Sequence, residues 1–154
     1  MLKRGLTVAL SCVTIFILST PWAGSLQEAQ EGRVPAYHAG PPARDAKLPA
    51  ILGRDQLWGE NSQYPFQSRA YELAAKIPEV LYQQPCYCFC DRMGHRSLHS
   101  CFENVHGAEC STCLKELYFS YSEHKKGKTA KQIREAIIRG EWKQVDLQAA
   151  AYTN

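Results

Sequence analysis

The chain has almost no strand pattern. Apolar residues seldom alternate with polar ones, and where they recur they do so at helical spacing. That excludes a sheet-based architecture and points to an all-α fold. No internal repeat is present. No Ser-His-Asp pattern, paired-carboxylate motif or glycine-rich phosphate loop stands out, so no catalytic reading begins from a known motif. Charge of one sign is also missing. The 18 basic residues face 15 acidic ones, and setting aside the first 25 residues leaves 16 against 15. This balance gives no electrostatic case for nucleic acid or for an acidic partner. Cysteine is absent from most of the chain. Of seven cysteines, only Cys12 lies outside residues 86–113.

What is present begins with an export pattern. Lys3 and Arg4 form a basic start, residues 5–20 are apolar, and Pro21-Trp22-Ala23-Gly24-Ser25 offers small residues for cleavage. Residues 1–25 therefore read as a secretory signal peptide. The apolar run is shorter than the ~20 residues a spanning helix needs. Membrane attachment would come only from an uncleaved signal or from a lipid on Cys12. The latter is disfavoured because residues 13–18 stay apolar after it. The expected location is outside the cytoplasm, in the periplasm or cell envelope, where disulfides are permitted.

Residues 26–64 read as an irregular linker punctuated by Pro35, Pro41, Pro42 and Pro49. Ile51, Leu52, Leu57 and Trp58 are its candidates for docking on the domain C-terminal to it, and His38 is expected in solvent. Residues 65–148 read as a Cys-rich helical domain of three to four helices, and residues 149–154 as a frayed tail. Phe66, Ala70, Leu73, Ala74 and Ile77 share one helical face. Pro78 suits the first turn of a short second helix. Residues 96–105 suggest a short helix that Gly107 breaks. A longer helix runs from about Ala108 to Lys126, with Gly127 as its terminator. Thr129 with Gln132 reads as a capping box for the next helix, whose Ile133, Ala136 and Ile137 face inward. Trp142, Val145 and Leu147 are expected to fold back.

The chemistry is concentrated in residues 86–113. Cys86, Cys88 and Cys90 alternate, so in an extended segment all three sulfurs face one side. Cys110 and Cys113 lie at a helix start, where the dipole favours thiolate. Cys101 faces the same core. His95 and His99, four apart, can add nitrogen. His106 reads as a helix-end residue. Three chemistries are open. Thiolates are soft ligands, so Cu(I) or zinc is one cofactor reading. A disulfide-stapled interaction domain is the second, although a bond between cysteines two apart closes a strained ring and sequence cannot choose among the pairings. Thiol–disulfide exchange at Cys110-Ser111-Thr112-Cys113 is the third, weakened because no βαβ pattern surrounds it. Haem attachment is excluded, since Leu114 follows Cys113. The reading taken forward is a soft-metal protein, with copper handling as its specific form. Its metal ligands are drawn from Cys86, Cys88, Cys90, Cys101, Cys110, Cys113, His95 and His99.

Pro85-Cys86-Tyr87-Cys88-Phe89-Cys90 resembles the motif of a family of bacterial exported proteins and lipoproteins named for PCYCGC. Gly94-His95-Arg96-Ser97-Leu98, Cys101-Phe102, His106-Gly107-Ala108 and Cys110-Ser111-Thr112-Cys113 are similar to it as well. So is Gly127-Lys128-Thr129 followed by Gln132-Ile133-Arg134. The resemblance spans roughly residues 71–141. The motif's name has glycine where Phe89 stands. The resemblance implies a bacterial-envelope setting and brings no established activity with it.

Overall fold

The computed structural model describes residues 32–152, and the signal-peptide reading lies outside them. No strand occurs among the described residues, and six α-helices do: α1 Pro65–Ala74, α2 Pro78–Tyr82, α3 His106–Glu109, α4 Ser111–Lys125, α5 Ala130–Ile138 and α6 Leu147–Ala150. The all-α expectation holds. The count exceeds three to four because α3 and α6 are single turns, too short to show a periodicity in sequence.

Helix α4 is the axis. Cys113, Leu114, Leu117 and Tyr118 are buried on it, packed with Ala70, Leu73 and Ala74 of α1 in the main apolar core. Two aromatic hydroxyls tie this layer together. Tyr118 donates to the Phe66 carbonyl at 2.9 Å, and Tyr71 donates to the Asn104 carbonyl at 2.6 Å while accepting from the Ala108 amide at 3.1 Å. Helix α5 begins at the predicted cap, where the Thr129 hydroxyl accepts from the Gln132 amide. Ile133, Ile137 and Trp142 form a second, smaller cluster. Gly127 and Gly140 stand in left-handed conformations at the ends of α4 and α5, as terminating glycines do.

Three local expectations are corrected. Residues 96–105 hold no α-helix. A 3-10 helix, Leu98–Phe102, buries Leu98, His99, Cys101 and Phe102 on one turn. The helix expected from Ala108 is interrupted at Cys110, which is extended (φ −116°, ψ 111°), so α3 and α4 are separate. Gly107 is not the breaker. It lies within α3, where a side chain would come within 2.8 Å of the Cys101 carbonyl and 2.9 Å of the Phe102 ring. Glycine is there because two backbones touch.

Residues 34–64 are irregular apart from two 3-10 turns, Arg54–Gln56 and Gly59–Ser62, and they lie on the domain. Pro35 is fully buried, Leu57 enters the core, and the Leu52 amide donates to the Phe102 carbonyl at 2.9 Å. Trp58 is exposed. His38 is not simply solvated, because its ring stacks on Tyr82 at 3.8 Å. Residues 149–150, expected to fray, complete α6, which Asp146 caps.

Candidate metal centre

The segment 86–90 is a turn and not an extended strand. The Phe89 amide donates to the Cys86 carbonyl at 3.1 Å, and Phe89 takes a left-handed conformation (φ 56°). It is the sole non-glycine residue with positive φ among those described. A side chain there costs energy that glycine would not. The turn divides the triplet. Cys86 and Cys88 point to α4, with their sulfurs 3.1 Å apart. Cys90 starts the 3-10 helix Cys90–Met93, its sulfur 2.9 Å from Nε2 of His106 and within 4.8 Å of the Cys88 and Cys101 sulfurs.

Helix α4 supplies the opposite wall. The Cys113 sulfur lies 3.4 Å from that of Cys86 and 3.5 Å from that of Cys88. Three sulfurs therefore form a closed triangle with edges of 3.1, 3.4 and 3.5 Å. The turn Leu98–Phe102 delivers Cys101 from a third direction, with its sulfur 3.5 Å from Nδ1 of His95. Cys110 belongs to neither quartet of donors described below, although Cys113 and Cys88 are near enough to influence its pKa. All six cysteines in the segment are free thiols.

Two donor quartets result. Cys86, Cys88, Cys101 and Cys113 lie within 4.8 Å of one another, and so do Cys88, Cys90, Cys101 and His106. Neither contains a carboxylate. A set of sulfur plus one imidazole suits soft ions such as Cu(I) and zinc, not calcium or magnesium. An ion at ~2.3 Å from each sulfur of a tetrahedron sets edges of about 3.8 Å. Loading the first quartet thus asks the Cys86, Cys88 and Cys113 sulfurs to spread by a few tenths of an ångström. The residues fit such an ion.

The histidines divide differently from their sequence reading. His95 stands beside Cys101, and its ring meets that of His106 edge to face at 5.1 Å. Burial, then His106, lowers its pKa, which keeps a nitrogen lone pair available. His99 turns away, with Nδ1 2.9 Å from a Glu103 carboxylate oxygen. His106 takes the place among the donors. The His106-Gly107-Ala108 motif was its only sequence signal, because the contact depends on α3 packing against Cys101.

Charge in the basin is shared unevenly. The Cys88 thiol is held low because the thiols of Cys101, Cys110, Cys113 and Cys86 donate to it. Cys113 is pushed up, first by its contacts with Cys101, Cys110 and Cys86. Burial, first of all, raises Cys86 and Cys90. Glu116, missed in the sequence, lies beneath. Fully buried, its carboxyl is pushed up to about 8, chiefly by burial, and it accepts from the Tyr87 amide at 2.9 Å. Its other oxygen has no hydrogen-bond partner.

A small pocket is lined by Pro35, Cys86, Cys90 and His95. Beside it lies a cavity of about 360 Å³ bordered by Tyr37, His38, Asp91, His95 and Arg96.

The sequence profile of a family described as "Protein of unknown function with PCYCGC motif" matches residues 55–146. No curated protein and no solved structure matches the chain.

Proposed function

The chain belongs to the PCYCGC family, and from its site we propose that it is an exported protein that binds a soft metal ion, Cu(I) or zinc, and handles it in the periplasm or cell envelope. One observation carries the reading. Cys86, Cys88 and Cys113 form a triangle in which each sulfur has two near neighbours at 3.1–3.5 Å. A disulfide framework gives each sulfur one partner, and an odd triangle leaves one over. A single ion serves all three at once. A nearly all-thiolate donor set suits Cu(I) and zinc alike, and the elemental analysis below decides between them.

Elemental analysis combined with a thiol count tests this on protein purified without added metal or reductant. Metal together with six reactive thiols in residues 86–113 is expected. Three disulfides and no metal would replace the reading with a stapled interaction domain. Export rests on Lys3, Arg4 and the apolar residues 5–20. Mass spectrometry of the protein from its native envelope should find a new N-terminus between Ala23 and Leu26. An intact Met1 or a diacylglycerol on Cys12 would overturn cleavage there.

A further inference from the structure

We propose that the basin is built for two soft ions rather than one, with the thiolates of Cys88 and Cys101 bridging them. This rests on the soft-metal reading above and specifies its stoichiometry. The two quartets share Cys88 and Cys101 and differ in their remaining members. Cys86 and Cys113 complete one set, and Cys90 and His106 complete the other. A four-coordinate ion in the first set leaves Cys90 and His106 unused. Yet those two are already 2.9 Å apart and face the same shared pair of sulfurs. A thiolate keeps lone pairs enough for two metals, so Cys88 and Cys101 can serve both sets.

Charge favours the same count. The five cysteines of the two quartets are Cys86, Cys88, Cys90, Cys101 and Cys113. One divalent ion in the first quartet takes four thiolates, leaves Cys90 a thiol and leaves two negative charges in a largely buried basin. A second divalent ion takes all five as thiolates and leaves one. With monovalent Cu(I) three remain either way, so charge favours the second ion only for a divalent metal. Burying less unpaired charge costs less. Each bound thiol releases its proton to solvent.

The fold also positions the second set in particular. His106 opens α3, and α3 reaches it only because Gly107 lets the chain lie against the Cys101 carbonyl. The His106 amide donates to Asn104 Oδ1 at 2.9 Å, and Tyr71 holds the Asn104 carbonyl and the Ala108 amide on either side.

The test loads the full chain anaerobically with Cu(I), and separately with Zn(II), and counts ions by native mass spectrometry. Two ions per chain are expected, with a metal–metal scattering path in X-ray absorption. Combining Cys90→Ser with His106→Ala should lower the count from two to one. Saturation of the unaltered chain at one ion would overturn the two-ion centre and leave the soft-metal reading standing. No ion bound would overturn both. Two ions without a metal–metal path would overturn the bridge. The count and the path are read on the unaltered chain, so they decide even if the double variant fails to fold.

Discussion

Helix α4 carries two buried glutamates, Glu116 and Glu123, in opposite surroundings. Glu123, at the C-terminal end, is answered by cations. Lys126 and Lys128 both pair with it, and although burial works to raise its pKa, their hydrogen bonds and charge bring it below the usual value. Glu116, near the N-terminal end, has the Tyr87 amide on one oxygen, nothing on the other, and thiols around it. One end of the helix completes its electrostatics with its own side chains. The other end gathers groups that repel one another when ionised. Such an arrangement is stable when a cation is added or when most of the groups stay protonated. The contrast separates an end that is electrostatically self-compensated from one whose balance depends on protonation or on an added cation.

The largest effect that could break this contrast concerns the metal. If the thiol end awaits an ion, loading should raise stability by about 4 kcal/mol at a free ion concentration a thousandfold above Kd. Combining Cys86→Ser with Cys88→Ser should abolish that gain. Thermal melts with and without Cu(I) measure it, and an equal gain in the variant would place the ion elsewhere.

Next in size is the apolar core that both ends share. Leu117→Ala should cost about 2–5 kcal/mol because Leu117 is fully buried. Denaturant titration measures the cost, and the ion count should not change. A lost ion would show that the basin depends on the whole core.

Glu116 gives a smaller test. Glu116→Ala strands the Tyr87 amide and should cost about 1–3 kcal/mol, whereas Glu116→Gln keeps an acceptor and should cost less. Denaturant melts of the metal-free variants compare them. Equal costs would show that the carboxyl does not hold the 86–90 turn.

Within that turn, Phe89→Gly should be more stable than Phe89→Ala by about 1 kcal/mol, since only glycine adopts the positive φ freely. Using alanine as reference removes the ring's own contacts from the comparison. Equal melting temperatures would mean that the turn is not held left-handed in solution.

The smallest effect lies at the opposite end of α4. The folded pKa of Glu123 is lowered, so its contribution is present above the unfolded carboxylate pKa and is lost as pH falls through the folded value. Glu123→Gln should cost about 0.3–1 kcal/mol near neutrality, because both lysines are largely exposed, and nothing in strong acid. A cost independent of pH would assign its role to packing instead.

These regions were unequally legible. Helices α1 and α5 could be read directly because their apolar residues repeat with the helical period, and α5 begins at a recognisable cap, Thr129. The count of thiols could be read as well, and the resemblance to the PCYCGC motif placed the family. The directions of the thiols could not. Cys86, Cys88 and Cys90 alternate like a strand, but the left-handed Phe89 folds them into a turn, and φ at one residue is not a periodicity.

What the sequence by itself determined is therefore the helical class, the caps and the concentration of soft donors in residues 86–113. Those follow from local propensity and composition, which act over a few residues. Tertiary structure alone decided which donors meet. His99 carries as good a ligand as His106, yet the turn Leu98–Phe102 aims it at Glu103, while α3, resting on Cys101 through Gly107, brings His106 to Cys90. Glu116 reaches the basin only because α4 lies beneath the 86–90 turn. Contacts between segments far apart in the chain depend on how whole elements pack, and side-chain type and spacing do not encode that packing.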